Sequence, residues 1–583
     1  MRIRCLAAVL LFGCSVSLFA QKSPETADSL YRQGLAALQR NNLKIAESDF
    51  KKTLHLSPAH ADAHNALGWI LLAQQQLPQA ITEFHAAIKF KPNLASAHLN
   101  LSSALTQSGK LEEALVEARA AVRLAPNDAE SHRSLGRILS FQRDLDGAIT
   151  ELGEAIELDP TKAEPHDELG SLFAQASRSD EAAQQFLEAL RIQPNFAKAH
   201  LHLGVVRLQQ KSLDDAAEQL REAVRIDPSN FQGHFYLAQV LTEQGQTDLA
   251  VVEWRTCVQL QPDNADANTR LGLMLQRTGD GEGAVAAFRK TIELQPENAD
   301  AHNNLGLALI QAGDASAAIL QFEAAIRLRP GDSGYRGNLG TAYLQQADFN
   351  QAVEHFQAAL KDSPDDATLH YDLGLALKLK DQLAEAKAEF EKAAKLDPSQ
   401  ADIRYTLGVT LWQQGQFAEA VENLRAAIQA KPDYAEAYYT LGTVLNQQGQ
   451  LKDSAAALRE ALRLQPDFAG AHTTLAAVLR KLGDAEGAAA EGRLGTQIGK
   501  EKTSQQAATF ATNSGRRLLN AGDLDGAIAQ FRSAINSVPN YAQAHYQLGI
   551  ALDRKGDKVE AAKEFRQSTT LDPHLQPPTT GPR

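Results

Sequence analysis

Cysteine is nearly absent, with three residues in 583, at positions 5, 14 and 257. Cys5 and Cys14 lie in an apolar N-terminal stretch that reads as a removable leader. Cys257 would then be alone, which excludes an intrachain disulfide as a source of stability. Long apolar runs are equally scarce. The longest, from Cys5 to Phe19, is too short for a comfortable membrane span. Excess positive charge is missing as well. The net charge is -13, so a phosphate backbone would be repelled and nucleic acid is not an expected partner. The sequence holds no H-E-x-x-H and no G-x-S-x-G motif. Its one glycine-dense stretch, Gly279 to Gly283, falls between two helical patterns rather than between a strand and a helix, so it does not read as a phosphate loop.

The N-terminus has its own logic. Arg2 and Arg4 precede the apolar run, and Ala20 closes it before polar Gln21. This order is that of a secretory signal peptide over residues 1–20, followed by a short linker at 21–26. The expected location is periplasmic or secreted. Leu11-Phe12-Gly13-Cys14 also loosely resembles a lipobox, so an alternative is a lipoprotein attached to the membrane through Cys14.

Prolines supply a ruler for the remainder. Thirteen, from Pro58 and Pro92 through Pro432 to Pro466, stand 34 residues apart, and Pro539 and Pro573 repeat the interval. Other columns keep the same register. Twenty-four residues before the proline position Gly occurs in 13 of 16 repeats, and twelve before it Ala occurs in 15 of 16. Eight before it the residue is usually large, as at Phe84, Trp254 and Phe390, and is expected to fill the gap between neighbouring repeats. Each repeat carries two stretches of apolar residues at helical spacing, separated by polar or Gly-bearing turns. Proline, without an amide hydrogen, stops the second helix. One such pair cannot bury its apolar faces alone, so the pairs must stack.

These columns resemble the tetratricopeptide repeat family. Ala-His-Asn-Asn-Leu-Gly at 301–306, Ala318, Phe322 and Pro330 reproduce its 34-residue pattern, and the resemblance covers residues 27–575. It implies an all-α, right-handed α-solenoid superhelix of about 16 helix–turn–helix units. The units are similar to the repeat region of O-linked N-acetylglucosamine transferases, although no stretch of this sequence remains to supply that enzyme's catalytic domain. Units 1–14 span 27–502 and units 15–16 span 508–575. Between them, Lys500 replaces the proline and five residues, Thr503 to Ala507, are inserted. A hinge or kink is expected near 490–508, because an insertion breaks the stacking register. The proline-bearing tail 576–583 is expected to be disordered.

Ten histidines share one column, among them His64, His98, His302 and His545. Stacked repeats separate equivalent atoms by roughly 10 Å, too far for one ion. The column is expected to pack in the first helix with a ring nitrogen hydrogen-bonded to a neighbour. No metal and no cofactor is expected, and no residue set specifies an enzyme. Cys257 replaces Ala in a packing column and is expected to be buried and inert. In the family the first helices line the concave face, where Tyr371, Tyr405 and Tyr439 share a column, Trp412 lies nearby, and Asn304 and Asn338 share the next. Polar-tipped aromatics are favoured anchors, and asparagine rows in such arrays clamp a partner's backbone. The implied function is a scaffold or adaptor that binds proteins or peptides in its groove. The alternatives are an accessory factor in envelope assembly or polysaccharide export, which would touch the membrane only through a lipid anchor or partner complex, and, less fittingly, an enzyme. Residues 451–583 hold 17 Lys and Arg against 14 Asp and Glu. The acid excess therefore lies ahead of them, and the two ends are expected to present different surfaces.

Overall fold

The computed structural model describes residues 26–577. The expected leader, its Cys14 and the last six residues of the tail lie outside the described residues. The chain divides into two compact bodies, residues 1–297 and 298–583. Among the described residues every regular element is a helix.

In the N-terminal body sixteen helices run from Ala27–Gln39 to Gly281–Leu294, each first helix 13 residues long and each second helix 14. The C-terminal body repeats the plan from Ala299–Gln311 onwards. One pair shows how the sequence writes it. Asn298 caps the first helix by accepting a bond from the Ala301 amide. The helix ends in a turn where Gly313 adopts φ 82°, and the Asp314 amide reaches back to the Leu309 carbonyl at 2.9 Å, closing the orphan carbonyls of the last turn. The Asp314 side chain then caps Ala315–Leu328, and that helix stops before Pro330. Every such turn holds one residue with positive φ. Nine of these are glycines, but Gln75, Lys211, Ala347 and four others adopt the same conformation.

The glycine column exists because of the large-residue column. A Cβ on Gly68 would stand 2.7 Å from the Phe84 ring, and Phe84 is fully buried. Gly306 and Phe322, and Gly374 and Phe390, repeat the contact. The large residue therefore lies over the glycine of its own pair, rather than serving only to fill the gap between pairs. The alanine columns, such as Ala80 and Ala87, have no exposed surface and let the helices approach closely.

The interruption expected at 503–507 takes a different form. Residues Ala485–Asn520 make one continuous helix of 36 residues, so no turn interrupts the chain there. With Lys500 in place of proline the stop signal is gone, and the inserted residues are helix-compatible. Gly495 packs against His472 and Thr473 of the preceding helix, while Gly515 packs against Phe531 of the following one. Between them, from Thr496 to Ala507, no residue is buried. The second helix of the fourteenth repeat and the first helix of the fifteenth are thus one rod.

Candidate functional site

The first helices carry the candidate residues, and their side chains are connected along the stack. Residues 35 apart, hence on successive first helices, pair off. In the N-terminal body the Asn100 amide donates to Asn65 at 2.9 Å, and Arg133 grips Glu168 through two nitrogens at 3.0 and 2.7 Å. Arg270 sits over the Phe235 ring, 5.4 Å from its centroid. In the C-terminal body the Asn338 amide donates to Asn303 at 2.8 Å, and the Tyr371 and Thr406 hydroxyls are 3.2 Å apart. Trp412 donates to Gln447 at 2.7 Å. These side-chain rungs fix the register of one pair on the next.

All six residues singled out from the sequence are half-buried on first helices of the C-terminal body. Tyr371 lies 5.7 Å from Phe390, Tyr405 5.0 Å from Tyr434 and Tyr439 4.7 Å from Phe468, centroid to centroid. Each tyrosine therefore packs its ring against a second aromatic. The Asn338 amide is engaged, donating to Asn303. Asn304 is half-buried one position beyond Asn303.

The histidine column is a packing and hydrogen-bonding column. His64 Nδ1 lies 2.6 Å from Glu83 and Nε2 lies 2.9 Å from the Pro58 carbonyl. His98 with Glu117 and His370 with Glu389 repeat the pattern, while His166, His200 and His302 meet Gln185, Gln219 and Gln321 instead. His60, four residues before His64, uses Nδ1 to cap its own helix. Among the described residues no three His, Cys, Asp or Glu side chains are grouped to hold a metal ion. Cys257 is fully buried, and burial pushes its thiol up to about 12, so it stays protonated and unreactive.

Two features were not read from the sequence. The first is a cavity of about 230 Å³ in the N-terminal body, lined by Ser171, Phe186, His202 and Tyr236 among others. Beside it Asp167, only 1% exposed, meets His202 Nδ1 at 2.8 Å and Lys198 Nζ at 3.0 Å. Burial pulls this carboxyl upward, but the His202 bond and the Lys198 charge outweigh it and hold it below its ordinary value. Ser171 Oγ also approaches His202 Nδ1, at 3.3 Å, while bonding to the Asp167 carbonyl. A nucleophile–base pair needs hydroxyl and carboxylate on opposite ring nitrogens. Here both crowd the same one, so the trio is not arranged as a catalytic triad. The second feature is Asp372, half-buried on Ala367–Leu379, which is taken up below. Both were encoded in the 35-residue spacing, which links Asp167 to His202 and Gly337 to Asp372.

A sequence profile described as the tetratricopeptide repeat matches residues 31–95, 99–163, 168–333, 338–499 and 512–575, in eleven partly overlapping segments. The chain belongs to the tetratricopeptide repeat family. No curated protein matches this repeat sequence significantly. Among solved structures, YrrB, a TPR protein with an unusual peptide-binding site, is 23% identical with TM-score 0.30, over 31% of this TPR chain and 92% of its own. A chain of the APC/C hetero-tetramer Cut9–Hcn1 is 16% identical with TM-score 0.35, over 78% and 96%. Yeast Tom70 is 17% identical with TM-score 0.32, over 72% and 96%. No helix among the described residues of this TPR protein is long and apolar enough to cross a membrane.

Proposed function

We propose that this TPR protein is an exported scaffold whose first-helix face holds an extended segment of a partner protein. The observation that carries this reading is the run of half-buried, polar-tipped aromatics Tyr371, Tyr405, Trp412 and Tyr439 on three successive first helices. Their rings are fixed by packing while part of each remains accessible, which gives anchor area at low entropic cost. Tetratricopeptide arrays are scaffolds for proteins and peptides as a family, and the acidic composition speaks against nucleic acid. The exported location is supported by Arg2, Arg4, the apolar run to Phe19 and Ala20.

The test is a crosslinked pull-down from the native cell envelope with the wild-type chain and with the triple variant Y371A/Y405A/Y439A, whose unfolding midpoint is measured alongside. A partner lost only with the folded variant supports the reading. A partner retained equally moves the site off this face. The mass of the native protein's N-terminus separates a chain beginning at Gln21 from one lipidated at Cys14, the form an envelope-assembly or export role would favour.

A further inference from the structure

The 35-residue rungs of the C-terminal body are not continuous, and one gap lies between two that do form. From the positions held by Asn303 and Tyr371, side chains reach forward to Asn338 and Thr406. Between these two rungs the reaching position is Gly337 and the receiving one is Asp372. Gly337 has no side chain to offer, and the Leu369 side chain crowds the space where its Cβ would be, at 2.8 Å. Among the described residues the Asp372 side chain forms no hydrogen bond and no ion pair. Cationic side chains on its own and the preceding first helix do not pair with it. Arg336 bonds Asp362, His370 bridges Glu389 and the Pro364 carbonyl, and Lys378, further along the same helix, makes no ion pair with it. Burial, reinforced by the Asp366 carboxylate, pushes Asp372 up to about 6. A carboxylate withdrawn from water without a counter-charge is costly unless something arrives to pair it. Tyr371 precedes it, and Tyr405 occupies the same column on the next first helix.

We propose that Asp372 is a specificity contact of this groove, taking the guanidinium or ammonium of a basic side chain from the bound segment. The inference rests on the peptide-binding reading above. A carboxylate accepts only, and guanidinium and ammonium groups only donate. Neutral donors would satisfy the oxygens without cancelling the charge.

The test is a random-peptide display selection on the immobilised full-length protein and, in parallel, on D372N. The most enriched peptide is then made with its basic residue and with Gln in its place, and both are titrated by fluorescence anisotropy. The expected result is a Lys or Arg at one fixed position of the enriched set. Replacing that residue by Gln on the peptide, or Asp372 by Asn on the protein, should weaken binding about tenfold. Wild-type binding should tighten from about pH 5 to about pH 8, and the D372N variant should lose that dependence. The peptide substitution is read on wild-type protein, so it stands even if D372N unfolds. Peptides enriched without a basic position, or bound equally by D372N, would overturn the inference and leave peptide binding intact. No enriched peptide at all would overturn both.

Discussion

Gly337 stands 35 residues ahead of Asp372, at the position from which neighbouring first helices send a polar side chain forward. Asp372 is therefore left half-buried and unpaired, and its proton is held up to about 6. A carboxyl raised in the folded state binds protons there that the unfolded chain has released. Stability consequently falls as pH rises from the ordinary carboxylate range to about 6. D372N removes that loss. It should be more stable than wild type at neutral pH, by at most about 3 kcal/mol, and the two should converge in acid. Urea unfolding at both ends of the range checks this.

His64 works in the opposite sense. Its Nδ1 and Nε2 face two acceptors, the Glu83 carboxylate and the Pro58 carbonyl. The Glu83 bond, against some opposition from burial, raises its pKa above the usual histidine value. A raised histidine adds stability that is complete below about pH 6.5 and fades as pH climbs through the folded value. H64Q, which can still donate one bond, should flatten the thermal-melting response over that window. An unchanged slope would show that the pair does not couple to folding.

Gln75 adopts φ 62° in the turn where Gly109 and Gly245 stand in later repeats. Its side chain is exposed. Q75G should therefore stabilise by roughly 1 kcal/mol, because a left-handed residue with a Cβ carries a steric cost. A denaturant midpoint that falls would contradict the assignment.

At Gly68 the expectation reverses. The added Cβ of G68A would meet the Phe84 ring at 2.7 Å, and Phe84 has no exposed surface into which to swing. Overpacking of this kind should destabilise by roughly 2 kcal/mol. The double change G68A/F84L should recover part of it, since Leu152 and Leu220 already face glycines in sister repeats.

How far the sequence speaks for itself depends on the reach of each signal. The helix pairs were legible because proline, alanine and glycine act locally or within one pair, as Pro330, Ala318 and Gly306 do. The histidine column read correctly as packing with a ring bond, since Glu83 and its equivalents lie 19 residues on in the same repeat. At 503–507 the conformation was not legible, because an inserted stretch changes register without announcing whether it turns or stays helical. Thr503, Gln505 and Ala507 accept helix once the proline at 500 is gone. Asp372 was missed because its condition is set by something absent from another repeat.

The unburied stretch from Thr496 to Ala507 gives the fifth prediction. T503P removes one amide donor and clashes with the preceding turn. Limited proteolysis should then cut within this stretch while the flanking cores stay protected. Resistance equal to wild type would mean that the helix there is held by contacts beyond its own backbone.

That same rod is also a protractor. An α-helix turns about 100° and advances about 1.5 Å per residue, and between Gly495 and Ala508 no residue is buried. Deleting or adding one residue there would swing the last two helix pairs to a new azimuth around the helix axis, with little disturbance to either core. The direction in which the C-terminal pairs face is thus written in a residue count, open to change by single-codon steps that leave the buried contacts on either side in place.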